Sequence, residues 1–201
     1  MARSPRSPPA ADPRERIERT AYELFSRHGT RAIGVDTLAE RAGVAKMTLY
    51  RHYPSKEDLV LAFLRRREEI WTRTWLQNAL RERSRPPAER LLGIFDLFDG
   101  WFRRSDYEAC SFLRTLLEHS DAKHPVRVAV RGHLDAIRSL LIELGSEAGV
   151  RDPKRFAQQW QVLMMGCIAC AYAGERDAAR SVREVAALLL QKEARRAARR
   201  L

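Results

Sequence analysis

The sequence predicts an all-α chain of about nine helices: a small three-helix N-terminal domain followed by a larger C-terminal helical bundle. Three observations predict it. Apolar residues recur at helical spacing through most of the 201 residues. No stretch sustains the period-two alternation of a half-buried strand, and no hairpin signal is found. Proline punctuates the amphipathic stretches at their ends.

Residues 1–11 hold three Pro, two Ser and two Arg, and have nothing to bury; they predict a disordered basic arm. Asp12 then Pro13 reads as an N-cap with Pro at the first helical position. Ile17, Ala21, Leu24 and Phe25 follow at helical spacing, and Gly29 is the C-cap candidate. Two short helices end near Tyr53. Longer ones follow: Leu59 to Leu80, Ala88 to Phe102 after the Pro86-Pro87 break, Tyr107 to His119, Pro125 to about Gly145, Pro153 to about Tyr172, and Asp177 to about Arg195. The shift from short to long, aromatic-rich helices places a DNA-binding-sized domain at 12–57, a larger domain at 58–195 and a basic tail at 196–201.

The second and third helices carry the motif. In "DTLAERAGVAKMTLYRHY" (36–53), Asp36 is placed to cap a short helix with Leu38 and Ala39 facing inward. Gly43 supplies the permissive backbone of a tight turn, and Val44 is an apolar plug after it. Helix resumes from Ala45 to Tyr53 with Leu49 inward. Helix, Gly-containing turn and helix, braced by apolar residues, is a helix-turn-helix signature. Its second helix enters the major groove while the first crosses the backbone. Thr37, Thr48, Tyr50, His52 and Tyr53 offer neutral donors to phosphates, and Lys46, Arg51 and Lys56 add charge. Lys46, near the helix start, is placed to meet a guanine edge; Ala45 and Met47 suit a thymine methyl. Two readings stand for Tyr50 and Tyr53, phosphate contact or packing between helices, and Arg51 is either a contact or a solvated charge. Pro54 stops the helix, and Ser55 with Asp58 caps the next.

Charge agrees with this reading. Against 26 acidic residues stand 37 basic ones, a net +11, which points to nucleic acid before anionic membrane. Three cysteines without an apolar leader predict a reducing, cytoplasmic setting, and no uncharged run is long enough to span a membrane. Nucleotide-binding Gly loops, nucleophile elbows and His-Glu-x-x-His pairs are missing, so an enzyme is not predicted, nor is a cofactor or metal. Cys167-x-x-Cys170 places two thiols on one helical face in apolar surroundings. Buried small hydrophobes are the reading preferred over a redox pair, and the histidines are too scattered for a metal set. Arg3 and Arg6 of the arm either reach DNA or are simply solvated.

The run "TRAIGVDTLAERAGVAKMTLYRHYPSKEDLVLAFL" resembles the DNA-binding domain of TetR-family transcriptional regulators, whose pattern there reads like "IA..AGVS.GTLYRHFPSKE.L". It keeps Ala39, the Ala42-Gly43-Val44 turn, Thr48-Leu49-Tyr50, His52 and Pro54-Ser55-Lys56-Glu57. It departs at Ala45, Met47 and Tyr53, where Ser, Gly and Phe are usual, which bears on operator preference. The resemblance covers about 12–60. It implies a homodimer on a palindromic operator in double-stranded DNA, with a C-terminal domain that binds a small molecule and dimerises, and repression by family habit. An activator using the same module, or a non-specific basic DNA binder, are the alternatives.

In the larger domain Trp71, Trp75, Phe95, Phe98, Phe102, Phe112, Leu116, Trp160 and Met164 are candidates to line a pocket for an apolar or aromatic effector, set against the simpler reading that they form the core. The resemblance puts the pocket among the middle helices and a four-helix dimer interface on the last two. Phe156, Trp160, Leu163, Cys167, Cys170, Val182, Val185, Leu188 and Leu189 are the candidate contacts there, unless that stripe packs on its own domain; Gly166 and Ala169 would allow close approach.

Overall fold

The computed structural model describes residues 12–81 and 85–198, whose regular structure is helical with no strand. The helices are α1 (Pro13–His28), α2 (Val35–Ala42), α3 (Lys46–His52), α4 (Lys56–Arg67), α5 (Gln77–Leu80), α6 (Pro87–Phe102), α7 (Ser111–Glu118), α8 (Pro125–Glu147), α9 (Pro153–Tyr172) and α10 (Ala178–Ala198). A π-helical stretch, Glu68–Leu76, joins α4 to α5 without a break, so the described residues form nine helical rods. The predicted arm (1–11) and residues 199–201 of the predicted tail lie outside the described residues; 196–198 belong to α10.

The chain divides into two compact units, one ending at Phe63 and the other beginning at Leu64, so the division falls inside α4. Its first residues stay with the N-terminal unit because Leu59, Val60 and Phe63 are buried there. The Phe63 ring meets Phe25 at 5.5 Å and Tyr22 at 5.9 Å, both edge-on. Ile17, Ala21, Leu38, Ala39 and Leu49 complete that core. Asp12 accepts from the Arg14 amide at the start of α1, and Gly29 closes its end through the Phe25 carbonyl.

In the second unit α6 packs against α8, α9 and α10. Phe95, Phe102, Phe156 and Trp160 are all but fully buried in its core. Trp160 sits 5.4 Å from Phe95 and 5.0 Å from Phe156. Gly145 lets α8 approach α9: a Cβ there would stand 3.1 Å from the Phe156 ring. Charged groups fasten the outside, with Asp99 of α6 taking Arg103 and, from α10, Arg180 at 3.1 Å. Hydrogen bonds from Arg103 hold the Asp99 carboxyl below its ordinary range.

Several boundaries differ from expectation. Asp36 does not cap α2; Gly34 occupies that place, and Asp36 sits in the first turn. The helix expected from Tyr107 starts at Ser111, because Ala109 takes a left-handed conformation (φ 65°) and Cys110 is extended. The last helix starts at Ala178 rather than Asp177.

Candidate nucleic-acid interface and internal cavity

The turn between α2 and α3 is built by backbone hydrogen bonds. Gly43 is left-handed (φ 62°, ψ 42°), its amide donates to Glu40, and the Val44 amide reaches back to Ala39, each at 3.0 Å. That pattern closes α2 and redirects the chain. Arg16 of α1 donates to the Gly43 carbonyl at 3.1 Å, tying the turn to the first helix. Ala45 is the extended N-cap of α3, not its first helical residue.

Leu49 is fully buried, which fixes the rotation of α3. The opposite face then carries Lys46, Met47, Tyr50 and Arg51, all exposed; Met47 is 78% exposed. At 100° per residue these four share one side of the helix. Arg51 forms no ion pair among the described residues. Lys46 does: its ammonium lies 2.7 Å from the Asp36 carboxylate, whose hydrogen bond keeps it protonated above its ordinary range. Thr37 and Ala45 are exposed, and Thr48, His52 and Lys56 half-buried at the flanks. Ser55 and Asp58 cap α4 reciprocally, the Asp58 amide donating to Ser55 Oγ at 3.1 Å.

Tyr53 departs from its expected place on the DNA side. It is 5% exposed, and its hydroxyl is donated to Glu18 of α1, which also accepts from Arg14 at 3.0 Å. The physical reason is that α3 ends at His52 and Tyr53 is extended (φ −136°, ψ 97°), so its ring turns inward.

A family model, that of the bacterial regulatory proteins of the tetR family, matches residues 17–63. The fold is similar to SCO4454, a TetR-family transcriptional regulator of Streptomyces coelicolor. The TM-score is 0.83 at 25% identity, covering 90% of this chain and 95% of the other. In sequence the chain is 22% identical over 158 residues to the HTH-type transcriptional regulator YjdC of Escherichia coli (77% of this chain, 81% of YjdC). It is 29% identical over 126 residues to the HTH-type transcriptional activator FasR of Mycolicibacterium smegmatis (60% of this chain, 55% of FasR). The N-terminal unit thus matches the tetR-family model, and the fold of the chain is similar to that of TetR-family regulators.

Residues 17–63 therefore form a helix-turn-helix DNA-binding module of the kind found in transcriptional regulators, and no described helix is long and apolar enough to cross a membrane. Since Asp36 both occupies Lys46 and carries negative charge on the exposed side of α2, Asp36→Asn is expected to tighten DNA binding several-fold, an effect that fades at high salt. Fluorescence anisotropy over a salt series checks this; unchanged affinity at low salt would remove the ion pair from the binding account.

The second unit holds a cavity of about 90 Å³. Trp71, Trp75, Phe98, Phe112 and Met164 line it, as do Arg67, Cys110, Ser111 and His133, which the sequence reading did not single out. The other aromatic candidates do not reach it: Phe95, Phe102 and Trp160 are consumed by the core, and Leu116 lies off the wall. Burial drives His133 down to about 4, and its ring stacks on Phe112 with centroids 3.4 Å apart. A histidine depressed in the folded state contributes stability that is full above about pH 6.5 and is lost as pH falls toward 4, up to about 3 kcal/mol here. His133→Phe should flatten that acid slope in urea unfolding; an unchanged slope would place the titration elsewhere.

The last two helices separate the dimer candidates. Phe156 and Cys167 are buried within their own unit, where Cys167 donates to the Met164 carbonyl at 3.2 Å, so neither is available to a partner. Burial pushes that thiol up to about 12. Cys170 is exposed, so the two thiols do not share one environment. Val185 is exposed, and Leu163, Val182 and Leu189 are half-buried. Leu188 is exposed beside them, and Val162, exposed on α9, was not among the candidates. No group of three or more metal-ligating side chains occurs among the described residues.

Proposed function

We infer that the protein is a ligand-responsive repressor that binds a palindromic operator in cytoplasmic DNA as a homodimer. The observation that carries it is the exposed face of α3, where Lys46, Met47, Tyr50 and Arg51 stand outward around a buried Leu49. Thr37, Thr48, His52 and Lys56 would serve as phosphate contacts beside that face. Two further features support the finer parts. The apolar surface of α9 and α10, with Val162, Val185 and Leu188 in water, suits a two-fold contact with a second copy. The cavity bounded by Trp71, Trp75 and Phe98 suits a small apolar effector.

A gel-shift against the DNA flanking the protein's own gene, with excess random duplex as competitor, tests the reading. Retained shift supports a specific regulator; loss in proportion to competitor would leave only a basic coating protein. One observation favours activation as a second reading, since FasR is a transcriptional activator. In-vitro transcription from the bound promoter decides between them: output that falls on adding protein is repression, and output that rises is activation.

A further inference from the structure

The cavity wall carries two unsatisfied polar groups. His133 on α8 and Ser111 at the start of α7 are 6% and 5% exposed, both line it, and their Nδ1 and Oγ atoms are buried without a hydrogen-bond partner. Buried polar atoms in native proteins are nearly always satisfied, so two orphans on residues of one cavity wall point to where a ligand group belongs. Two further polar groups of the wall are committed. Gln161 donates to the Leu134 carbonyl at 2.8 Å and accepts from Arg138 at 2.9 Å. Arg67 lies over Trp71, its guanidinium carbon 5.0 Å from the ring centroid.

The chemistry of the wall restricts the occupant. No carboxylate lines the cavity, so a cation would be buried without a counter-charge. An anion would have to draw Arg67 from its seat on Trp71. A neutral imidazole offers one donor and one acceptor, and a serine hydroxyl rotates to give either. A hydroxyl on the ligand satisfies both partners whichever tautomer His133 adopts. Size points the same way: an engineered cavity of about 150 Å³ holds benzene, so this one takes a single ring once flexible Met164 or Met165 gives way.

We propose that this cavity binds an uncharged single-ring aromatic molecule bearing a hydroxyl, its ring among Trp71, Trp75 and Phe98 and its hydroxyl on His133 Nδ1 and Ser111 Oγ. The proposal rests on the reading of the cavity as the effector site and names the class of molecule it takes.

Four probes test it with the full chain at neutral pH: phenol, toluene, benzoate and benzylamine, with dissociation constants measured by calorimetry. Phenol is expected to bind about fivefold or more tighter than toluene, and both charged probes more weakly than phenol. In Ser111→Ala/His133→Phe the advantage of phenol disappears while toluene still binds, which also shows that the variant folds. Ser111→Ala alone, the milder change, should lessen the advantage. Toluene binding as tightly as phenol, a charged probe binding best, or no probe binding would each overturn the proposal. Release of operator DNA, followed by anisotropy, separates the two readings. Phenol that binds without releasing DNA leaves the ligand class standing and removes ligand-responsive regulation. Benzoate that binds best and releases DNA does the reverse.

Discussion

Trp160→Ala is expected to cost the second unit about 3–5 kcal/mol, because a large-to-small change at a site that cannot collapse loses both transfer energy and packing. Trp160 is fully buried between Phe95 and Phe156, and Gly145 has already brought α8 close against the Phe156 ring, so no neighbour has slack to fill the void. Urea unfolding followed by far-UV circular dichroism measures the loss. Trp160→Phe supplies the contrast. The Trp160 indole nitrogen has no hydrogen-bond partner, so the smaller ring sacrifices none and should cost about 1.5 kcal/mol or less. Equal damage from the two substitutions would mean that the position is held by something other than packing.

Leu49→Ala carries the second large effect, about 2–5 kcal/mol from the N-terminal unit. Its consequence is functional as well as structural. Leu49 is the fully buried residue of a seven-residue helix, and α3 lacks a side-chain hydrogen bond at its N-cap. A helix that short does not persist without tertiary packing. The exposed face of Lys46, Met47, Tyr50 and Arg51 would then lose its fixed orientation, and sequence-specific binding should vanish while weak, salt-sensitive binding persists. Hydrogen exchange locates the damage: faster exchange across α1 to α3 is expected, and unaltered protection there would refute the role of Leu49.

Much of the fold was legible because its boundaries are written in residues with strong local preferences. Asp12-Pro13, Pro125 and Asp152-Pro153 each open a helix where they stand, and Gly43 forms the left-handed turn expected of it. Other features depended on competition between neighbours. Asp36 is a good capping residue, yet the cap falls two residues earlier, at Gly34, and the Asp36 carboxylate meets Lys46 instead, a tertiary pairing without a local signal. Tyr53 turned inward because the helix stops one residue before it.

In the larger unit, periodicity marked apolar helices without fixing their rotation. Along α9 both faces carry apolar residues, so Phe156 and Cys167 were not separable from Val162 by spacing alone, although the former are core and the latter lies in water. The π-helical stretch shifted the register again. Its backbone hydrogen bonds span five residues rather than four. Trp71 and Trp75 reach the cavity from within that stretch. His133 and Ser111 gave no sequence signal, because an isolated histidine in an amphipathic helix looks the same whether it faces water or a cavity.

The outward face of α3 is proposed to read DNA sequence. In-vitro selection from a pool of random duplexes tests this most directly, run with the natural protein and with Lys46→Ala. An enriched inverted repeat is expected for the natural protein, and relaxed preference at one position of each half-site for the variant, worth about 1–3 kcal/mol of discrimination. An unenriched pool, or an identical motif from both proteins, would contradict it.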